Sequence, residues 1–434
     1  MIEAEGNLIE QLGEPFHQGS VQCLYPYAGD DTLMVAETGA GGSVFDVGTI
    51  FEVPGSDRCR ALFRHVLFER LADPATWNRV HEAIGADRDL SQESRDLLLD
   101  GGVLATLREK GARTHHVGML DGLSGALVQG AVPDVPSAFN VVRRFDVLRP
   151  QAVRIYGAQI YDYSVYANAD GYVVPLEAIV RFGVTGASSI YKRSLSMEEK
   201  QKAQFFSELG VDGLDAWKML SRPVLDFTSK YEPTDRPVTR QEAVNMSGLS
   251  PAEFSEMAQL AVLGAYVVRL MFADIGLQLW DLKWELACEN GQLLFVDTVD
   301  TDSVRATCQV PVSGDAWLAL HVNKQAVRDY YEIFHPEWVE GVAQAKAEAG
   351  GSGGDFHAIL LEGQATGRFP ATPQLDSVFV DLQAEKLGFV DAYLRGADAA
   401  SAIADQLAWV CGKEVAYYEE RGCYEALLAR NCVD

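Results

Sequence analysis

Apolar positions recur at two different spacings along the chain, and the change from one to the other marks out its elements. Residues 21–27 and 32–38 are short runs of β-branched, aromatic and aliphatic side chains. The turn-forming Ala28-Gly29-Asp30-Asp31 lies between them, which predicts a hairpin. Gly39-Ala40-Gly41-Gly42 then leads into Ser43-Val44-Phe45-Asp46. From about 57 to 110 the spacing is helical, with Asp57 as a cap and Leu62, Val66 and Leu67 as an apolar face. Strand-like runs return from about 139 to 182, with Val141, Val142, Val147, Val153 and Ile155 among polar neighbours and 172–180 as the last strand.

Residues 250–275 predict the clearest helix. Ser250-Pro251-Ala252-Glu253 combines a capping box with proline at the first helical position. Phe254, Met257, Ala261, Leu263 and Val267 follow at helical spacing, which reads as a core helix rather than a cofactor surface. Strands are expected around 277–285 and 292–298, joined by an Asn290-Gly291 turn, and a helix over about 323–345. The glycine-rich 350–354 reads as a flexible connector, and from Leu375 onward the chain is mostly helical without a chemical motif. No internal repeat is present. The expected class is α+β, antiparallel sheet with helices packed outside.

Composition narrows the function. The 434 residues are 48% hydrophobic, enough for a large core in one big domain with an appendage or in two to three domains. The start is acidic and without the features of a signal peptide, and no uninterrupted apolar run approaches the roughly 18 residues that span a bilayer. A cytoplasmic protein is expected. Thirty-six basic against 62 acidic side chains leave a formal charge of −26, which disfavours nucleic acid and anionic membranes as partners. A small phosphorylated ligand stays open, because a few arginines and a metal ion can reverse the sign locally. The seven cysteines are scattered without a CxxC pair, which reads as reduced thiols and gives no indication of zinc.

The candidate chemistry lies in four clusters. Asp281, Lys283 and Glu285 alternate at spacing two and so share one face of a strand, while Asp297 ends the next strand. This is either a wet face or an acidic Mg²⁺ site with a lysine to neutralise phosphate. Pro175-Leu176-Glu177-Ala178-Ile179-Val180-Arg181, followed by Thr185-Gly186-Ala187-Ser188-Ser189, can hold a phosphate or carboxylate through guanidinium, hydroxyl and backbone donors. The segment from Phe227 through Lys230 to Glu232, with Asp235-Arg236-Pro237 after it, and Asp302-Ser303-Val304-Arg305 each also read as ordinary polar loops.

In their order, these motifs resemble the SAICAR synthetase family. The resemblance runs from about 17 to 345 and takes in the loop from Gly19 to Tyr25, Ser43-Val44-Phe45-Asp46, Thr114-His115 and Asn323-Lys324-Gln325-Ala326-Val327-Arg328. It implies two lobes around an ATP cleft: residues 1–130 with the nucleotide-binding hairpin and 131–349 with the metal and substrate sites. Residues 350–434 would be a linker and helical extension. It implies ATP and Mg²⁺ as cofactors, with Glu285 and Asp297 on the metal and Gly19, Gln22, Glu177 and Lys283 around the nucleotide. Asp281, Lys283, Lys230 and Asp235 would be catalytic, while Ser43, Asp46, Arg181, Ser188, Arg305 and Arg328 would meet the substrates. Family members phosphorylate the carboxylate of carboxyaminoimidazole ribonucleotide, and the amine of aspartate displaces the phosphate.

The departures from the family pattern gather at charged contacts. Ser20 and Gln22 stand where the family's first loop has lysines, Gly41-Gly42 replaces Asp-Arg, Ala187 replaces a serine, and Thr298 replaces an acid. The resemblance therefore implies a divergent paralogue, an amide-forming ligase taking a small-molecule carboxylate and an amino-acid-like amine in a specialised nucleoside or natural-product route. The alternatives are the housekeeping purine enzyme, a non-catalytic nucleotide-binding relative, and a phosphotransferase that stops at the phosphorylated substrate. A homo-oligomer is a further open expectation.

Overall fold

Asn290 and Gly291 take positive φ angles of 52° and 66°, the backbone that a two-residue hairpin loop demands, and reverse the chain between strands Leu277–Glu289 and Gln292–Val296. The register runs from Glu289 opposite Gln292 to Glu285 opposite Val296. This computed structural model describes residues 7–19, 21–312, 316–352 and 354–433. The long strand Leu277–Glu289 is the axis of the larger sheet. Leu176–Val184, Lys218–Ser229 and Pro237–Val238 extend the sheet on one side, and Val304–Pro311, Trp317–His321 and Cys432–Val433 on the other, all antiparallel. The strand expected over 172–180 is split. Tyr172–Val173 pairs with Cys288 and Ala287, Pro175 has no N–H to continue the ladder, and Leu176–Val184 starts afresh.

Helix Pro251–Asp274 has the expected capping box, with Ser250 N donating to Glu253 Oε2 (2.8 Å) and Glu253 N to Ser250 Oγ (3.3 Å). By length and composition alone it is apolar enough to cross a membrane, because its few charged residues do not lower the average much; most of that apolar stretch is buried inside the fold. It lies so close to the hairpin that a methyl group built on Gly264 would meet Phe295 Cζ at 2.5 Å and Trp284 Cζ2 at 3.3 Å. Gly264→Ala is therefore expected to destabilise the protein by about 1–3 kcal/mol in urea unfolding through overpacking. Alanine's helix propensity, about 1 kcal/mol better than glycine's, works the other way. A neutral or stabilised variant would mean that the helix can back away.

The N-terminal sheet runs in the order His17–Gln18, Gln22–Pro26, Leu33–Thr38, Pro136–Arg143, His116–Asp121, Leu127–Val128 and contains the expected hairpin, with Gln22 opposite Thr38. The helical stretch resolves into Ser56–Ala72, Pro74–Ala86, Gln92–Leu99 and Gly102–Lys110. Asp57 is not the cap: Gly55 occupies that position with φ 77°, which glycine adopts without strain, and Asp57 falls in the first turn. Helix Ser56–Ala72 is buried on more than its apolar face, carrying Arg60, Arg64 and His65 into the interior. Asn140 Nδ2 donates to its Ala61 carbonyl (3.1 Å). The two sheets are joined where His115 N donates to Phe295 O (2.9 Å) and Phe295 N to Arg113 O (3.1 Å).

The helix expected over 323–345 is two, Lys324–Phe334 and Pro336–Ser352, separated at His335-Pro336, where proline cannot donate to the preceding turn. The second runs through Gly350 to Ser352, so that part of the expected connector is helical, and Gly353 lies outside the described residues. Ser377–Leu394 and Ala400–Glu420 then pack as a pair, and their Phe379, Leu382, Val390, Leu407 and Val410 join the same core as the larger sheet.

Candidate active site

The two-residue period of the strands places one charged row on each. Glu177, Ile179 and Arg181 alternate on Leu176–Val184, and Asp281, Lys283 and Glu285 on the neighbouring strand, with Arg181 opposite Asp281 and Ile179 opposite Lys283. Arg305 stands opposite Asp281 from the other side. Between these rows, Ala178, Val180, Leu282 and Trp284 belong to the core.

The charges pair off closely. Asp281 is buried between Arg181 Nη1 (3.0 Å) and Arg305 Nη1 (2.8 Å), so its oxygens hold the two guanidiniums in place. Arg181 Nε also meets Asp226 at 2.8 Å. Lys283 is paired with Glu177, which accepts a hydrogen bond from Thr228 Oγ1 at 2.8 Å. Lys230 is paired with Glu285, which lies 3.6 Å from Lys283 Nζ, and Lys230 Nζ is 4.0 Å from Asp297. Asp297 follows its strand with a positive φ of 59°, and its carboxyl is hydrogen-bonded to that of Glu285. The two acids thus sit together at one end of the hairpin.

That closeness appears in their protonation. Burial, and then the charge of Asp297, push Glu285 up to about 8. Burial also acts to raise Asp297, but the hydrogen bond with Glu285 and the ammoniums of Lys230 and Lys283 outweigh it and hold Asp297 down at about 2. Near neutral pH the pair therefore carries one proton between two carboxyls. Such a donor set suits a divalent cation, which can displace the proton and take an oxygen from each group.

One cavity opens onto this pair and a second onto the neighbouring Lys283. The larger, of about 500 Å³, has an apolar part lined by Phe16, Leu24, Met34, Ala36 and Val142, and a polar part with Lys230, Glu285 and Asp297. The smaller, of about 200 Å³, is lined by Arg181, Ser189, Asp281, Lys283, Lys324, Arg305 and Arg328. Lys283 faces the second cavity and neighbouring Glu285 the first, so this short contact lies on the boundary between them.

Of the remaining expected residues, Gln22 lines the larger cavity, its carbonyl accepts from Gly19 N at 2.8 Å, and Ser20 lies outside the described residues. Arg328, on helix Lys324–Phe334, donates to Gln325 Oε1 at 3.2 Å. Ser188 is buried and its Oγ stays within its own loop, 3.0 Å from Thr185 N and 3.2 Å from Thr185 Oγ1. Ser189 is the hydroxyl that meets Arg181 Nη2, at 3.1 Å. Asp235 is exposed at the surface, and the partial loss of water around its carboxyl, followed by the charge of Glu177, raises its pKa. Ser43 and Asp46 line neither cavity; Asp46 is exposed and pairs with Lys346 at 2.6 Å.

Sequence reasoning missed Arg64, Arg143 and Arg149, which also line the larger cavity, as does Tyr231 from the Phe227–Glu232 segment. Arg60 and Arg64 are buried on Asp300, and against its burial they hold that carboxylate well below the usual range. Arg60 and Arg64 share a face at a four-residue spacing, but Arg58 and Arg70 lie in the same charged helix, so spacing alone did not single them out.

The description of the SAICAR synthetase family matches residues 137–345. A putative phosphoribosylaminoimidazole-succinocarboxamide synthase of Archaeoglobus fulgidus is 30% identical over 246 residues, which is 56% of this chain and 67% of that protein. Phosphoribosylaminoimidazole-succinocarboxamide synthases of Pyrobaculum aerophilum and Thermoplasma acidophilum are each 29% identical, over 32% and 39% of this chain and 51% and 55% of their own length. Among solved structures, a SAICAR-synthase from Saccharomyces cerevisiae complexed with SAICAR has a TM-score of 0.48 at 15% identity, covering 91% of this chain and 97% of its own. A SAICAR synthetase in complex with ADP has 0.41 at 16%, covering 82% and 99%. The matched segment contains both the Glu285–Asp297 hairpin and the arginine cavity, and with the Archaeoglobus relative it establishes that the chain belongs to the SAICAR synthetase family.

Proposed function

We propose that the protein is an ATP- and Mg²⁺-dependent ligase that joins a carboxylate to an amine as an amide through an acyl phosphate. The observation that carries this reading is the Lys283–Glu285 contact on the boundary between an apolar-walled cavity and an arginine-lined one. The larger cavity takes the nucleotide, its base among Leu24, Met34, Ala36 and Val142 and its phosphates toward Lys230. Glu285 and Asp297 hold Mg²⁺, which offsets phosphate charge when bound. Arg181, Arg305 and Arg328 orient an anionic acceptor in the smaller cavity, with Asp281 fixing the first two.

A carboxylate oxygen of the acceptor attacks the γ-phosphorus, and the bond to ADP breaks. The amine nitrogen then attacks the acyl carbon, phosphate leaves, and the nitrogen gives up a proton. Lys283 and Lys230 stand beside the phosphoryl group in transit, where positive charge stabilises its transfer. The loop lysines replaced by Ser20 and Gln22 remove two cations from the nucleotide side. Their loss supports altered substrates in a specialised nucleoside or natural-product route rather than housekeeping purine synthesis, and it is also the feature favouring a non-catalytic nucleotide-binding relative.

Incubation with Mg²⁺, ATP, carboxyaminoimidazole ribonucleotide or other small carboxylates, and a panel of amines, followed by mass spectrometry, tests the reading. An amide and ADP in equal amounts are expected, with a pair other than that ribonucleotide and aspartate preferred. ATP binding without turnover across the panel would leave the non-catalytic relative, and a stable phosphorylated carboxylate would make the protein a phosphotransferase. Preference for the ribonucleotide with aspartate would return it to purine synthesis.

A further inference from the structure

At the wall of the larger cavity, which His116 lines, lies a cluster of ligating side chains to which the ligase reading gives no role. His65 and Glu69 are one turn apart on helix Ser56–Ala72, and His116 begins strand His116–Asp121. One ligand atom from each of the three lies within 4.8 Å of the others. We propose that His65, Glu69 and His116 form a second metal site, for a borderline divalent transition metal of which Zn²⁺ is the natural occupant, separate from the carboxylate pair proposed for Mg²⁺.

Ligand chemistry makes the separation. Two imidazoles and one carboxylate suit zinc, whereas Mg²⁺ prefers an all-oxygen shell. Three protein ligands leave one position for water. The geometry is nearly formed: His65 Nδ1 and His116 Nε2 are 2.8 Å apart. Two nitrogens on a tetrahedral zinc, each about 2.05 Å from the ion, sit about 3.3 Å apart, so the rings need to part by only a few tenths of an ångström. His65 Nε2 is 2.8 Å from the Ala131 carbonyl, which fixes the proton on that nitrogen and leaves the Nδ1 lone pair toward the site. The His116 ring is stacked against Phe68, with centroids 5.6 Å apart and planes 19° from parallel.

A hydrogen bond between the rings would account for the two histidines alone. It leaves the Glu69 carboxylate beside the rings with no ion pair among the described residues. Glu69 and His116 are half-buried, so an ion can reach the site.

The test uses full-length protein stripped with a chelator and titrated with Zn²⁺ against a chromophoric competitor in excess Mg²⁺, with Co²⁺ as the spectroscopic probe. One Zn²⁺ per chain is expected, together with a Co²⁺ ligand-field spectrum of nitrogen and oxygen donors. Glu69→Gln and His116→Gln should each weaken binding by at least about tenfold, the scale lost when a group that merely supports a ligand is removed. Glu285→Gln should leave the zinc stoichiometry at one, which keeps this site's failure distinct from failure of the ligase reading. The proposal is overturned if the folded protein takes up no Zn²⁺, or if uptake is unchanged by both substitutions, as binding at thiols would be. Should His116→Gln not fold, Glu69→Gln decides, since its side chain is half-buried.

Discussion

Glu285→Gln is expected to lower Mg²⁺-dependent ATP turnover by about a hundred- to a thousandfold, because a charged ligand of the proposed Mg²⁺ would carry several kcal/mol of transition-state stabilisation and each 1.36 kcal/mol is tenfold in rate. Glutamine nearly matches the carboxylate in shape, so the β-pairing of Glu285 with Val296 should survive. The amide donates where the carboxyl accepted, and the half-buried ammonium of Lys230 loses its closest carboxyl partner. Steady-state ADP release, with circular dichroism to verify the fold, checks the result. A variant within threefold of the parent would remove the carboxylate pair from the chemistry.

The second large effect concerns the far end of the chain. Lys386 and Glu414 form an ion pair between helices Ser377–Leu394 and Ala400–Glu420, with side chains 1% and 2% exposed. Lys386 Nζ also donates to the His321 carbonyl at 2.9 Å, tying the helix pair to the edge of the larger sheet. Lys386→Ala leaves Glu414 charged and buried, and is expected to destabilise the protein by about 3–5 kcal/mol in urea unfolding. Replacing both together, with Lys386→Met and Glu414→Leu, should restore most of that loss, since an apolar pair of similar volume requires no desolvated charge. A loss below about 1 kcal/mol from the single change would show the C-terminal helices packing loosely, outside the cooperative core.

What could be read from the chain and what could not divide by the range of the interaction involved. The capping box at Ser250 and the Asn290-Gly291 turn are local chemistry, and both were legible. Spacing two correctly put Asp281, Lys283 and Glu285 in one row, since the pleat alone determines it. The partners across the row were not legible: the pairing of Leu277–Glu289 with Val304–Pro311 shifts between Leu279 and Asp281, and this irregularity helps set Arg305 opposite Asp281. Which of two adjacent serines faces Arg181 depends on the path from Thr185 into the helix Ser189–Leu195, and periodicity does not reveal it. The Arg60 and Arg64 contacts with Asp300 join residues more than 230 positions apart. At 350–352, glycine-rich composition suggested flexibility, yet the helix continues, a reminder that propensity is a weak prior.

The backbone bonds between His115 and Phe295, and between Phe295 and Arg113, stitch the two sheets together two residues before Asp297. A wide jaw-like opening pivoting through that stitch would tear two main-chain bonds beside one acid of the proposed metal pair. If the larger cavity takes the nucleotide as proposed, its traffic has to be accommodated by bending on the opposite rim, with the stitched edge as a stationary jamb. Substitutions on that rim should then alter turnover without touching a reacting atom.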